Sequence, residues 1–239
     1  MICQNKFPVI PSNKKIAIVG EMPGTDEERT GQPFVGYSGR FLAALLSRAG
    51  VSLNSCFLGS VTGHRPPEND ISKFAWTGPE IQTGLSTLTT DLEKYQPNIV
   101  VLLGTLGLKA AKDFGSPHPL VPKAFKFKTS QWRGSLFIAD SGPFEGRKCI
   151  ASYNPAYCLR DYEAAPLLQF DLKKAVREAD KPTLQLPQRQ IIIPTDVAHM
   201  LTLLEDVRKQ KLPVAIDIEG YIDDMSCISF APSASVAFI

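Results

Sequence analysis

Lys15 to Gly36 reads KIAIVGEMPGTDEERTGQPFVG. Its first six residues form a short apolar run closed by glycine, the pattern of a buried strand. A loop punctuated by Gly and Pro follows. In open α/β sheets, ligands bind outside the carboxyl ends of the strands, so this strand delivers Gly20-Glu21-Met22-Pro23-Gly24 to a ligand-facing edge. Gly20 and Gly24 let a ligand approach the backbone closely, and Pro23 stiffens the turn. Glu21 becomes a carboxylate at the floor of a cleft. Ten residues on, Gly31-Gln32-Pro33-Phe34-Val35-Gly36 carries an aromatic ring on a rigid loop, a platform for a planar base. The same ring serves equally well as a core plug. The loop is neither GxGxxG nor a GK[ST] phosphate loop, which makes nucleotide-phosphate binding a weak alternative.

Outward from this stretch, strands and helices alternate. Ser38 is placed to cap a helix whose Phe41, Leu42, Leu45 and Leu46 share one face. Cys56 to Val61 is a second strand candidate. Pro79 opens a helix carried on by Ile81, Leu85, Leu88 and Leu92. Asn98 to Gly104 (NIVVLLG) is the strongest strand pattern, followed by a helix from Leu106 to Phe114. Gly134 to Asp140 and Lys148 to Ser152 are further strands, and Asp161 to Asp180 is largely helical. Uniformly apolar central strands alternating with helices predict an α/β three-layer sandwich around a mostly parallel sheet.

Residues 1–180 are read as this first domain and the polar, twice-prolyl KPTLQLPQRQ stretch, residues 181–190, as a linker. In residues 191–239 a new pattern starts: a strand at Ile191 to Pro194, a helix capped by Thr195, then strands at Pro213 to Glu219 and Met225 to Phe230. Fewer than about 50 residues bury little core, so this second domain is expected to be only a fragment.

The 239 residues carry Lys+Arg 26 against Asp+Glu 24, a net charge of +2 that excludes a histone-like polycation. It leaves room for a basic face that binds DNA. No apolar run reaches the length of a membrane span, and the N-terminus lacks a signal-peptide pattern. The expectation is a cytoplasmic protein with no membrane partner. Cys3, Cys56, Cys149, Cys158 and Cys227 are scattered and include no CxxC pair. They predict neither a disulfide framework nor a zinc site.

GEMPGTDEERTGQPFVGYSGRFLAALL resembles the first motif of family 4 uracil-DNA glycosylases, which runs G-E-x-P-G, an acidic pair, then G-x-P-F-V-G-x-x-G. Further matches follow in the family's order. Arg65-Pro66-Pro67 with Asn69 resembles its R-P-P-x-N loop, PNIVVLLG its central strand, and Arg133-Gly134 a short R-G element. Tyr153-Asn154-Pro155-Ala156-Tyr157-Cys158-Leu159-Arg160 resembles its H-P-x-x-x-L-R motif. The resemblance spans roughly residues 15 to 175. It implies an enzyme that flips a nucleotide out of single- or double-stranded DNA and hydrolyses its N-glycosidic bond. Glu21 and Asn154 inherit the catalytic positions, Met22, Phe34 and Ser60 the base-binding ones, and Arg65, Asn69, Arg133 and Arg160 those that hold DNA.

Three features depart from the family pattern. Ser60 stands where the family has a base-reading Asn, and a hydroxyl matches the uracil edge less well than a carboxamide. Asn154 replaces the His that opens the H-P motif, so it offers a donor but cannot supply a proton. The family's four-cysteine iron–sulfur cluster lacks its ligands here, and no cluster is expected. His64, beside Arg65, is a candidate substitute donor, whereas His118 and His199 have no supporting context.

Val214-Ala215-Ile216-Asp217-Ile218-Glu219-Gly220 resembles the first motif of the proofreading 3′–5′ exonucleases attached to family A DNA polymerases. Residues two apart on a strand face the same way, so Asp217 and Glu219 can share a Mg2+ ion. Such sites need further carboxylates, and the fragment is not expected to be a competent nuclease. The domain order resembles the front of a phage-type DNA polymerase, which implies covalent continuity with polymerase domains.

Overall fold

A computed structural model describes residues 2–112, 128–185, 188, 190–211, 213–221 and 224–239. The chain divides into two compact units, Met1–Leu184 and Gln185–Ile239.

The larger unit is built on five strands: β1 (Ile16–Gly20), β2 (Phe57–Ser60), β3 (Ile99–Leu103), β4 (Leu136–Ile138) and β5 (Lys148–Ser152). They are ordered β2-β1-β3-β5-β4. All neighbours are parallel except the edge strand β4, which pairs antiparallel with β5. Every residue of β1, β3 and β5 is buried, as a sheet covered on both faces requires.

Alternation along the strands sorts the core into two layers. Ile16, Ile18, Val101 and Ile150 pack with Leu42, Leu45 and Leu46 of α2 (Tyr37–Arg48) and Leu168, Leu172 and Val176 of α7 (Ala165–Glu178). Ala17, Val19, Val100 and Leu102 pack with Ile81, Leu88 and Leu92 of α3 (Pro79–Tyr95) and Leu108 and Ala111 of α4 (Thr105–Ala111). Burying each Leu or Ile side chain contributes about 1.5–3 kcal/mol, so the apolar periodicity largely dictates this sandwich. Short helices α1 (Thr25–Thr30), α5 (Thr129–Trp132) and α6 (Pro155–Cys158) sit beyond strand ends or within loops.

Two helix starts in this unit differ from expectation. Gly36, not Ser38, caps α2, because the loop is already tied down by Glu27, whose Oε1 accepts the Gly36 N–H at 2.8 Å. The helix after β3 begins at Thr105. Its expected end at Phe114 lies outside the described residues, as does His118.

Lys148 is a buried lysine whose stem is walled in by the sheet, with a side chain only 2% exposed. Its ammonium donates to the carbonyls of Glu178, Lys181 and Thr183 at 2.6, 2.7 and 3.3 Å. The start of the stretch read as a linker is therefore fastened to β5.

The smaller unit has β6 (Gln190–Ile192), α8 (Val197–Lys209), β7 (Ala215–Tyr221), β8 (Asp224–Ser233) and β9 (Val236–Phe238), in the sheet order β6-β9-β8-β7. Asp196 rather than Thr195 caps α8, its Oδ1 accepting the His199 N–H at 2.8 Å. The short β9 carried too little pattern to be read from sequence. Of the apolar side chains, Val207 and Phe238 are buried, whereas Ile216 and Ile218 are 59% and 56% exposed.

Candidate active site

β1 ends in Gly20, and the chain turns through Glu21 across the carboxyl edge of the sheet. There β3 has just ended at Gly104, whose φ of 95° belongs to the left-handed region. A Cβ at Gly104 would run into the Glu21 carboxyl group. That close approach aims Glu21 at the first turn of α4. Its Oε1 accepts the N–H groups of Thr105 and Leu106 at 2.9 and 3.0 Å, and its Oε2 accepts the side-chain amide of Asn154 at 2.9 Å.

Asn154 reaches this position from the end of β5, as the N-cap of α6. Its Oδ1 accepts the Ala156 N–H at 2.9 Å. A carboxylate on one side requires the NH2 group and an N–H on the other requires the oxygen, so the network fixes the amide's orientation. Among the described residues, one Nδ2 hydrogen remains for a third partner.

Phe34 lies across from this pair. Its φ of 57° is strained for a bulky residue. Two contacts impose it: the ring packs on Gly20, and the Phe34 backbone lies where a Cβ of Gly39 would stand. Glu27 secures the same loop. Only 7% exposed, it accepts the Gly24 N–H at 3.1 Å and the Gly36 N–H at 2.8 Å, joining the two glycine-bounded turns.

These groups enclose a recess of about 110 Å³ lined by Glu21, Met22, Phe34, Ser60, Asn69 and Asn154, with Cys3 and Ser38 also on its wall. That is the space of a few waters, suited to a small planar molecule. A groove of about 590 Å³ adjoins it and shares Glu21, Met22, Asn69 and Asn154. Beyond them it is lined by Lys128, Thr129, Tyr153, Tyr157 and Arg160.

The expected site residues thus meet at one edge, with differences among the basic ones. Arg160 is exposed on the groove. Arg65 is tied to Glu28 at 3.3 Å and to Asn69 Oδ1 at 3.5 Å, holding its own loop. Arg133, expected to hold DNA, is committed inside the domain. It forks onto Asp171 at 2.6 and 3.1 Å, because a carboxylate only 1% exposed needs a partner. Ser152 Oγ donates to the same Asp171 at 2.7 Å. His64 is half-buried but does not line the recess. Sequence reading gave no role to the amides of Thr105 and Leu106 or to Glu27. The glycine closing β3 and the acidic pair after Gly24 were their only traces.

The cysteines do not fit an iron–sulfur cluster. Cys56 and Cys158 lie in one core layer, Cys149 in the other, and Cys3 at the recess. Desolvation pushes the thiols up, to about 11 for Cys3, about 12 for Cys56 and about 11 for Cys158. Asp217 and Glu219 share a face of β7 and are exposed. Among the described residues, no three His, Cys, Asp or Glu side chains gather closely enough to hold a metal.

The family model described as "Uracil DNA glycosylase superfamily" matches residues 7–179. The type-4 uracil-DNA glycosylase of Archaeoglobus fulgidus is 35% identical over 172 residues, 71% of this chain and 80% of that protein. Its namesake from Thermotoga maritima is 29% identical over 167 residues, 67% of this chain and 76% of the relative. That of Pyrobaculum aerophilum is 35% identical over 145 residues, 61% and 68% of the two chains.

Proposed function

Because this chain belongs to the uracil-DNA glycosylase superfamily, we propose that its larger unit hydrolyses the N-glycosidic bond of uracil, or of a closely related base, in DNA. The observation that carries this reading is a carboxylate, Glu21, fixed by three hydrogen bonds beside a recess walled by Phe34 and Ser60. The target nucleotide leaves the stack and its base enters the recess against Phe34. The glycosidic bond breaks with its electron pair going to the base. Positive charge develops on the sugar, where Glu21 stabilises it and orients the water that adds to the anomeric carbon. The free Nδ2 hydrogen of Asn154 and the Ser60 hydroxyl are the donors for the departing base. Met22 forms part of the floor, and Asn69 and Arg160 meet the DNA.

A second reading, a DNA-binding or uracil-sensing module with little catalysis, draws on one observation. Asn154 spends its oxygen and one amide hydrogen within the protein, and Ser60 offers a single hydroxyl. A single-turnover assay on labelled uracil-containing single- and double-stranded DNA, followed by alkali, separates the two. The glycosylase reading expects abasic sites with the native chain and their loss with Glu21→Gln. Tight DNA binding with no abasic sites would establish the second reading.

We also propose that residues 191–239 begin a 3′–5′ exonuclease domain continuous with polymerase domains. Asp217 and Glu219, two apart on β7, support it; they would hold Mg2+ only together with carboxylates from elsewhere. In the full-length protein, Asp217→Ala should abolish digestion of a mismatched primer end. Undiminished digestion would remove the proposal.

A further inference from the structure

Tyr157 is 39% exposed, yet its ring is held at both ends. Its hydroxyl donates to Asp161 Oδ2 at 2.6 Å, and its ring rests on Tyr153 at a centroid distance of 5.3 Å, tilted by 42°. Tyr153 is braced in turn by the Arg133 guanidinium, 5.9 Å from its ring centroid, itself locked onto Asp171. A fixed aromatic face left open to solvent costs apolar exposure and gains the fold nothing on that side. Both tyrosines line the groove that opens into the recess beside Glu21 and Asn154. The groove carries Lys128 and Arg160, with the hydroxyls of Thr129 and Ser130 beside them, and Glu21 is the only acidic residue lining it among the described residues. Neither Lys128 nor Arg160 has an ion-pair partner among the described residues. An open, immobilised ring beside two cations matches the two chemistries of a single nucleic-acid strand: a base to stack and phosphates to neutralise.

We propose that this groove seats the strand next to the flipped nucleotide, with the neighbouring base stacked on Tyr157 and the intervening phosphates against Arg160 and Lys128. The proposal rests on the glycosylase reading for its substrate but assigns a different site, with its own readout.

The test uses the full chain and a labelled, uracil-free single-stranded 12-mer, so that no cleavage is needed. Tyr157→Leu keeps apolar bulk on Tyr153 but removes the aromatic face; Tyr157→Phe keeps the face and loses the Asp161 bond. By anisotropy, Tyr157→Leu should weaken binding about 5- to 100-fold and Tyr157→Phe less than about twofold. Arg160→Ala should reduce the slope of log affinity against log salt by about 0.7, the share of one phosphate on a single strand. Native-like affinity in Tyr157→Leu, equal losses in both Tyr157 variants, or an unchanged salt slope in Arg160→Ala would each overturn the proposal. The two readings part cleanly. A chain that forms no abasic sites yet shows the Tyr157→Leu loss keeps the groove and forfeits the glycosylase. One that cleaves but binds the 12-mer equally well with Tyr157→Leu keeps the glycosylase and forfeits the groove.

Discussion

Asn154 shows how much one side chain decides at this edge. Its oxygen caps α6 through Ala156 and its amide holds Glu21, so the substitution Asn154→Asp preserves the cap while placing a second carboxyl group 2.9 Å from the first. Two carboxylates that close share a proton, and the pair's uptake of it moves well above the ordinary carboxylate range. Only the singly protonated pair restores a donor to Glu21. The Asn154→Asp variant should therefore be nearly inactive at pH 8 and recover as the pH falls through the raised value. A pH–rate profile that stays parallel to that of the native chain would show that Asn154 does not orient Glu21. The identities of Glu21, Phe34, Ser60 and Asn154 were legible in the sequence because each occupies a fixed place in a motif. Their partners were not. The amides of Thr105 and Leu106 are backbone groups, present at every residue, and only the fold selects these two. Arg133 misled for a related reason: its motif position says nothing of Asp171, 38 residues away, which claims its guanidinium.

At the level of elements, the apolar strands were read within a residue or two, since burial on both faces leaves little choice of residue. Caps and short elements escaped. Gly36 offers no side chain to recognise, and β9 is three residues long. The connection that matters most between elements is Arg133 to Asp171, which joins the end of α5 to α7 and, through Ser152, to the last residue of β5. Burial pushes the Asp171 carboxyl up, opposed by Ser152, Arg133 and Lys174. Removing the guanidinium with Arg133→Ala strands the carboxylate and should destabilise the unit by about 3 kcal/mol at neutral pH. The sign of its pH dependence follows. The folded-state value, already raised, rises further, so the folded variant takes up a proton more readily than the unfolded chain. Its deficit should be full above that value and shrink as the pH falls through it. Urea midpoints for native and variant chains at pH 7.5 and 5 test this, and a gap that widens on acidification would contradict it.

Over the whole molecule, the family match at residues 7–179 falls within Met1–Leu184, and every residue of the candidate site belongs to that unit. Residues 1–184 alone should therefore melt cooperatively and release uracil at a rate within about twofold of the full chain, as expected of a domain with its own core. Loss of the melting transition would show that the unit needs residues beyond 184. The sequence placed the division near residue 180 from proline and polarity alone. It could not show that the chain stays attached a little further, because what holds it is Lys148, distant in sequence and ordinary in appearance. With its ammonium set among the carbonyls of Glu178, Lys181 and Thr183, that lysine works as strain relief does on a cable. A pull on the chain from beyond Thr183 meets these bonds to the middle layer of the sandwich before it reaches α7. The load passes into β5, the strand whose far end leads to Asn154, so the anchor of the chain and the candidate site share one strand of the sheet.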